Sequence, residues 1–144
     1  MDKYDALKLE NEICFPFYAC SREIIKQYKP LLDKLDLTYT QYITMIALWE
    51  KESINVKALG ELLFLDSGTL TPLLKKLEAK GLVDRRRSET DERNLIITLT
   101  EAGRALRDKA IAVPEEIAKV TNLTAEEAAM LYCLLYKVLI TKKN

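Results

Sequence analysis

The sequence predicts a mainly α-helical (α+β) fold with one small β-hairpin, formed by a single domain of 144 residues. Apolar residues recur at helical spacing through most of the chain. Near residues 82–99, a polar loop separates two short segments with the alternation of strands. The chain has only four glycines and four prolines, and no repeat or low-complexity segment interrupts it. These observations indicate one compact helical protein.

Composition narrows the chemistry that this chain can perform. The 22 basic and 22 acidic side chains cancel, and there is no histidine. Without histidine, Ser-His and Cys-His catalytic pairs are excluded, so we predict no enzyme, metal site or cofactor. Three cysteines do not form a disulfide framework. Because neither a signal peptide nor a membrane-spanning apolar run is recognisable, we predict a cytoplasmic protein.

The first predicted helix runs from about Lys8 to Lys29 and ends at Pro30. Its apolar stripe, which we expect to be buried, comprises Ile13, Phe17, Cys20, Ile24 and, at its last position, Gln27 or Tyr28. A second helix begins at the capping-box pair Thr38 and Gln41 and reaches Glu50. Asn55 is expected to cap a third helix.

The fourth helix has the clearest pattern in the chain. Its buried stripe has the i, i+3, i+4, i+7 spacing and comprises Leu70, Leu73, Leu74 and Leu77. Gly81 stands where a left-handed residue ends a helix. Pro72 lies too far inside to keep every helical hydrogen bond, which indicates either a functional site or a tolerated 3₁₀-like first turn. Together with the third helix, this element predicts a helix-turn-helix.

After the fourth helix, residues 82–86 and 94–99 predict the two strands of the hairpin. Thr100 should cap a fifth helix that reaches about Lys119 and is disturbed at Pro114, and Thr124 with Glu127 should begin a last helix. We therefore predict a winged helix-turn-helix lobe over residues 37–99. Residues 1–36 and 100–144 are expected to supply helices for a homodimer.

The charge pattern around the fourth helix predicts binding to double-stranded DNA. Basic side chains are concentrated between residues 75 and 87 of an otherwise neutral chain. We expect phosphate contacts from four of them, Lys75, Lys76, Arg85 and Arg86. The hydroxyls at the start of the helix can reach base edges: Ser67, Thr69 and Thr71. At the hairpin tip, Arg93 could enter a minor groove with Asp91 orienting it, although an ordinary surface ion pair is the alternative.

The chain resembles a known family at these residues. The runs LDSGTLTPLLK at residues 65–75 and DER at 91–93 resemble the MarR-family winged helix-turn-helix repressors, and we expect Asp66 in the first run to be a DNA-binding residue. Three further segments resemble the organic hydroperoxide sensor (OhrR) branch: LENEICF at 9–15, YKPLL at 28–32 and LTYTQY at 37–42. The resemblance implies a homodimer that binds a pseudo-palindromic operator and releases it when a cysteine is oxidised. Thr40 departs from it, because the family usually has proline there.

Cys14 matches the sensing cysteine of this branch. From the residues alone, it is either a packed thiol or a thiolate favoured by the N-terminal end of the first helix, with the Tyr18 hydroxyl one turn away. Tyr28 lies 14 residues further on, about 21 Å along a helix axis, so it cannot touch Cys14 within one chain. The resemblance implies that Tyr28 and Tyr39 reach the partner's cysteine across the dimer. Ordinary interface packing is the alternative for both tyrosines.

The predicted signal is an organic hydroperoxide that oxidises Cys14 to a sulfenic acid. Cys20 cannot reach Cys14 along the helix, and Cys133 does not match the resolving cysteine of two-cysteine relatives. We therefore expect both to be packed core thiols, and a small thiol to form the mixed disulfide. An inter-chain Cys14–Cys133 disulfide, a repressor relieved by a small phenolic ligand, and a thiol peroxidase remain alternatives.

Overall fold

A computed structural model describes residues 2–140 of the chain, which divides into two compact units, Met1–Val113 and Pro114–Asn144. Two 3₁₀ turns, Asp5–Leu7 and Leu9–Asn11, precede the first helix. The elements of the first unit are α1 (Cys14–Asp33), α2 (Tyr39–Lys51), β1 (Ser53–Asn55), α3 (Val56–Leu63), α4 (Ser67–Ala79), β2 (Val83–Arg87), β3 (Leu95–Leu99) and α5 (Glu101–Ala110). Helix α6 (Val113–Thr121) begins at the boundary, and α7 (Ala125–Ile140) lies in the second unit.

The predicted fold class is confirmed: helices dominate, and the strands form one small antiparallel sheet in the order β1-β3-β2. Strands β2 and β3 are the predicted hairpin, with Val83 opposite Leu99 and Arg87 opposite Leu95. Strand β1 was not predicted. It is held by pairing with β3, including a 3.0 Å contact between the hydroxyls of Ser53 and Thr98.

The core of the first unit lies where α2, α3 and α4 meet the sheet. All four leucines of the predicted α4 stripe are buried, as are Met45, Leu48, Leu59 and Ile97. Trp49 packs among them, and its indole Nε1 donates a 2.8 Å hydrogen bond to the carbonyl of Gly103 in α5. Packing between helices and strands therefore fixes α4 beside the hairpin.

The predicted helix caps are all present. Thr38 and Gln41 form a reciprocal capping box at α2, and Asn55 and Thr100 accept from Ala58 N and Gly103 N. Thr124 and Glu127 make the same reciprocal pair before α7. Gly81 is left-handed, with φ +74°, and Leu82 N donates to Leu77 O, which completes the Schellman stop after α4.

The first helix differs from its prediction at both ends. It begins at Cys14 rather than Lys8, because Pro16 then takes the third helical position, where no helical N–H bond is needed. It also continues past Pro30 to Asp33, so the prediction that Pro30 ends it was wrong. A proline in the last turn costs one hydrogen bond, and burial of Leu32 in that turn offsets it. The predicted fifth helix occurs as two segments, α5 and α6.

The apolar stripe of α1 is not buried within the protomer. Ile13 is 74% exposed, and Phe17 and Ile24 are more than one-third exposed. Helix α7 likewise exposes Leu131, Leu134 and Val138. Cys20 and Cys133 are exposed as well, so the prediction that they are packed core thiols is wrong for the single chain. Exposed apolar surface of this extent is typical of subunit interfaces. No helix within residues 2–140 combines the length and apolarity that a membrane crossing needs.

Gly103 lies where α5 packs closely against Leu82 and Leu99, and Gly81 provides a comparison without close packing. Replacing Gly103 by alanine would normally favour a helix, but its Cβ would collide with the carbonyl oxygen of Leu82 and lie 3.0 Å from Leu99 Cδ2. We expect Gly103→Ala to lower the free energy of unfolding by about 1–3 kcal/mol, measured by urea denaturation. Gly81→Ala is the matched comparison: it has a positive φ but open space around its Cβ, so it should cost about 1 kcal/mol. A stabilised Gly103→Ala protein would contradict the packing described here.

Candidate functional site

The exposed face of α4 carries the predicted base-reading residues. Its N-terminus is capped by Asp66, whose Oδ1 accepts a 2.8 Å hydrogen bond from Thr69 N. Asp66 therefore positions the helix start. Ser67, Thr69 and Thr71 are exposed on the first two turns, and Pro72 lies on the same exposed face as the sixth helical residue. Because Pro72 has no N–H, the carbonyl of Gly68 receives no helical hydrogen bond from it.

The four predicted phosphate-binding cations do not have equal freedom. Lys75 and Lys76 are both exposed on α4. Arg86 is exposed on β2. Arg85 instead forms an ion pair with Glu78, with 3.2 Å between Arg85 Nε and Glu78 Oε1, and Arg85 N also donates to this carboxylate. Arg85 thus fixes the hairpin to α4, a role that the sequence analysis missed.

The wing tip holds Arg93 as predicted. Asp91 Oδ1 accepts from Arg93 N at 3.0 Å and lies 3.5 Å from its Nε, while the Arg93 side chain is 92% exposed. Arg87, not singled out from the sequence, donates a 2.8 Å hydrogen bond from Nη1 to the carbonyl of Glu92. These contacts shape the loop so that one guanidinium projects from its tip.

Cys14 is the first residue of α1, and its thiol is exposed. The Tyr18 hydroxyl one turn along accepts a 3.1 Å hydrogen bond from Arg22, whose guanidinium also covers the Tyr18 ring. Cys14 and Tyr28 lie in one continuous helix, so the separation of about 21 Å along its axis stands. Any contact between the Cys14 thiol and Tyr28 therefore requires a second chain.

Tyr28 and Tyr39 meet in a small aromatic cluster. Their ring centroids are 5.0 Å apart and nearly perpendicular, and the Tyr42 ring is 5.8 Å from Tyr28. Burial and the neighbouring phenols raise the pKa of Tyr28 to about 12, and burial raises the pKa of Tyr39 and Tyr42. All three stay protonated at neutral pH and keep an O–H to donate. Tyr42 was missed from the sequence, although it follows Tyr39 by three residues on one helix face.

The raised pKa of Tyr28 predicts a pH effect on stability. The unfolded phenol loses its proton near the ordinary pKa of 10.0, whereas the folded one keeps it to about 12. Stability is therefore fully present below pH 10.0 and is lost as the pH rises through about 12. Urea midpoints across this window should fall more steeply for the wild type than for Tyr28→Phe. Equal slopes would show that Tyr28 titrates normally.

A separate polar contact links the end of α4 to the turn between α1 and α2. Lys80 donates to the backbone oxygen of Asp36 and, at 3.2 Å, to Gln41 Oε1. The carboxylate of Asp36 is 3.5 Å from the same ammonium. A cavity of about 610 Å³ opens beside this contact. Within residues 2–140, no three Cys, Asp or Glu side chains lie close enough together to hold a metal ion.

This fold and surface define a class of protein, the winged helix-turn-helix regulators, and comparison with known proteins agrees. Residues 26–110 match the family model "Transcriptional regulator SarA/Rot". The "Organic hydroperoxide resistance transcriptional regulator" of Bacillus subtilis is 51% identical over 97% of this chain and 95% of its own length. The chain therefore belongs to the MarR family of transcriptional regulators, in the branch of the organic hydroperoxide regulators.

Two further relatives extend the comparison. The "HTH-type transcriptional regulator SarZ" of Staphylococcus aureus is 50% identical over 84% of this chain and 82% of its own length. Among solved structures, "overoxidized AbfR bound to DNA", from Staphylococcus epidermidis, is 35% identical with a TM-score of 0.79. That match covers 97% of this chain and 98% of the other. These relatives are transcriptional regulators, and one was crystallised on DNA in an oxidised state.

Proposed function

We propose that this protein is a homodimeric repressor that binds a pseudo-palindromic operator and releases it when an organic hydroperoxide oxidises Cys14. One observation carries the proposal: the chain has both an exposed thiol at the first residue of α1 and an exposed DNA-contacting surface at the start of α4. We call that surface, formed by Ser67, Thr69 and Thr71, the reading face. The 51% identity to a hydroperoxide resistance regulator supports the choice of signal. A repressor of chromosomal genes acts in the cytoplasm.

DNA recognition follows from the charges on the first unit. Lys75, Lys76 and Arg86 contact phosphates, because each is exposed beside the reading face. Ser67, Thr69 and Thr71 contact base edges in the major groove. Arg93, held by Asp91 at the wing tip, enters the adjacent minor groove. Arg85 positions the wing through Glu78. Two such surfaces in a homodimer read two half-sites.

Sensing begins with the Cys14 thiolate attacking the terminal oxygen of the hydroperoxide. An S–O bond forms, the O–O bond breaks, and the alkoxide leaves with a proton as an alcohol. The sulfenic acid then reacts with a small cellular thiol, so an S–S bond forms and water leaves. Tyr28 and Tyr39 of the partner subunit donate hydrogen bonds to the thiolate, since their raised pKa values keep both phenols protonated. Each protein molecule reacts once, so we propose no catalytic turnover.

Release requires the mixed disulfide rather than oxidation as such. Overoxidised AbfR was crystallised on DNA, so overoxidation is compatible with DNA binding in that relative. A bulky disulfide at the start of α1 would separate the Cys14 sulfur from the aromatic cluster of Tyr28, Tyr39 and Tyr42, which we call the tyrosine cluster. The first two helices then shift, and the reading helices no longer match successive major grooves.

The test uses a duplex that the reduced protein selects from a random-sequence pool. Its dissociation constant is measured by fluorescence anisotropy for reduced protein, for protein treated with cumene hydroperoxide, and for protein treated with hydroperoxide and free cysteine. We expect the largest loss of affinity in the third sample. Release by a phenolic compound, with no response to hydroperoxide, would favour the ligand-relieved repressor. Repeated consumption of peroxide would indicate a thiol peroxidase.

A further inference from the structure

The contact between Lys80 and the α1–α2 turn joins three helices at one ammonium. Lys80 is the C-cap of α4. Its ammonium donates to the backbone oxygen of Asp36, just after α1, and to Oε1 of Gln41, in the first turn of α2. The partners are 44 and 39 residues away in sequence, so tertiary structure brings them together. We call Lys80, Asp36 and Gln41 the three-helix junction.

Each member of the three-helix junction is constrained by its own helix. Gln41 is 4% exposed, and its Oε1 also accepts from Thr38 N in the capping box of α2. Asp36 has a left-handed backbone, φ +53°, and follows α1 in a Schellman-type stop in which Leu37 N donates to Leu32 O. A non-glycine residue seldom adopts that conformation, and the ammonium stabilises its carbonyl and carboxylate. The junction cannot move without moving the helix ends that form it.

The tyrosine cluster reaches the turn between α1 and α2 through Tyr39. Tyr39 is the first residue of α2, next to the Thr38 cap, and its ring contacts Tyr28 of α1 at 5.0 Å between centroids. Tyr39, proposed to touch the partner's Cys14, therefore lies at the same end of α2 as Gln41, and it contacts Tyr28 in α1, the helix that Asp36 follows. Tyr39 is three residues after Asp36 and two before Gln41, so a displacement of Tyr39 reaches both within one helical turn.

We propose that Lys80 is a positioning residue that couples the state of Cys14 to the orientation of α4. When the tyrosine cluster moves, Asp36 and Gln41 move with it, and Lys80 draws the C-terminal end of the reading helix along. The lysine contacts neither the thiol nor the reading face. This inference rests on the proposed function and adds the route by which the signal reaches the DNA.

The experiment compares four proteins on the selected duplex: wild type, Lys80→Met, Lys80→Arg and Lys29→Met. Methionine keeps the unbranched stem of Lys80 but removes its donors. Lys29→Met is the matched control, because it removes a lysine ion pair on the surface of α1, to Asp33, and leaves the junction intact. Each protein is assayed reduced and after treatment with cumene hydroperoxide and free cysteine. Mass spectrometry verifies equal Cys14 modification.

The decisive quantity is the ratio of the dissociation constants of the oxidised and reduced forms. We expect Lys80→Met to have a ratio about tenfold smaller than that of the wild type, a loss typical of removing an allosteric coupling. Lys29→Met should keep the wild-type ratio, and Lys80→Arg should restore most of it. A merely structural role would lower the affinity of both forms and leave the ratio unchanged. An unchanged ratio in Lys80→Met overturns the proposal.

If Lys80→Met no longer binds DNA, amide hydrogen exchange tests the coupling instead. Exchange of the amides of α4 should change on oxidation in the wild type and stay constant in Lys80→Met, and equal changes in both would overturn the inference. Failure of the proposed function gives a different result from failure of this inference alone. In the first case the wild type itself keeps its DNA affinity after oxidation, and the inference is then also overturned.

Discussion

Cys14→Ser is expected to bind the operator as tightly as the reduced wild type and to keep that affinity in hydroperoxide and free cysteine. Serine is similar in size to cysteine and places a hydrogen-bonding hydroxyl where the thiol was, but it cannot be oxidised to a sulfenic acid. The wild type should lose affinity by about 5- to 150-fold under the same treatment, the usual range of allosteric coupling. Anisotropy titrations of both proteins, reduced and treated, measure this difference.

The other two cysteines provide matched controls for Cys14→Ser. Cys20 and Cys133 are also exposed in the protomer, so exposure alone does not distinguish them from Cys14. Cys20→Ser and Cys133→Ser should respond to hydroperoxide like the wild type. If the wild type released DNA in hydroperoxide without added thiol and Cys133→Ser alone did not, an inter-chain Cys14–Cys133 disulfide would replace the mixed disulfide. A Cys14→Ser protein that still releases DNA on oxidation would contradict the sensing mechanism.

Arg93→Ala should cause the largest loss of DNA affinity among single substitutions on the wing. The side chain is 92% exposed and its guanidinium projects from the loop tip. Losing one specific contact costs about 1–3 kcal/mol, and it is lost in both subunits of a homodimer. We expect the loss to be largest on duplexes with a narrow, A·T-rich minor groove beside the half-site.

Two further substitutions distinguish other roles from the direct DNA contact of Arg93. Asp91→Asn tests the orientation of the Arg93 guanidinium, and Lys75→Ala tests a phosphate contact. Asp91→Asn keeps the guanidinium but weakens its support, so its effect should be smaller than that of Arg93→Ala. Lys75→Ala should weaken binding uniformly across sequences and lower the salt dependence by about one charge per subunit. If Arg93→Ala bound every duplex like the wild type, Arg93 and Asp91 would form only a surface ion pair.

Local features of the fold were predictable because they are encoded within a few residues. Thr38 with Gln41, Asn55 and Thr100 cap the helices that the sequence predicts, and Gly81 ends α4. The alternation in residues 95–99 predicted β3 for the same reason. A cap or a helical stripe requires only neighbours on one turn, so the sequence carries it directly.

Features that depend on distant partners were not predictable. Strand β1 is three residues long and is held by β3, some 45 residues away. The Lys80 contact with Asp36 spans 44 residues. The stripe of α1 has the periodicity of a buried face but is exposed in the protomer, because periodicity does not say whether the same chain or a second one covers it. The mistaken burial of Cys20 has this cause.

The most direct test of sensing through Cys14 follows DNA release and the modification of Cys14 in one sample. Wild-type protein on the labelled duplex receives increasing cumene hydroperoxide with free cysteine present, and anisotropy is recorded while mass spectrometry quantifies the mixed disulfide at Cys14. We expect DNA release to rise in proportion to the amount of that disulfide. Release with Cys14 still reduced, or complete disulfide formation with the DNA still bound, would contradict it.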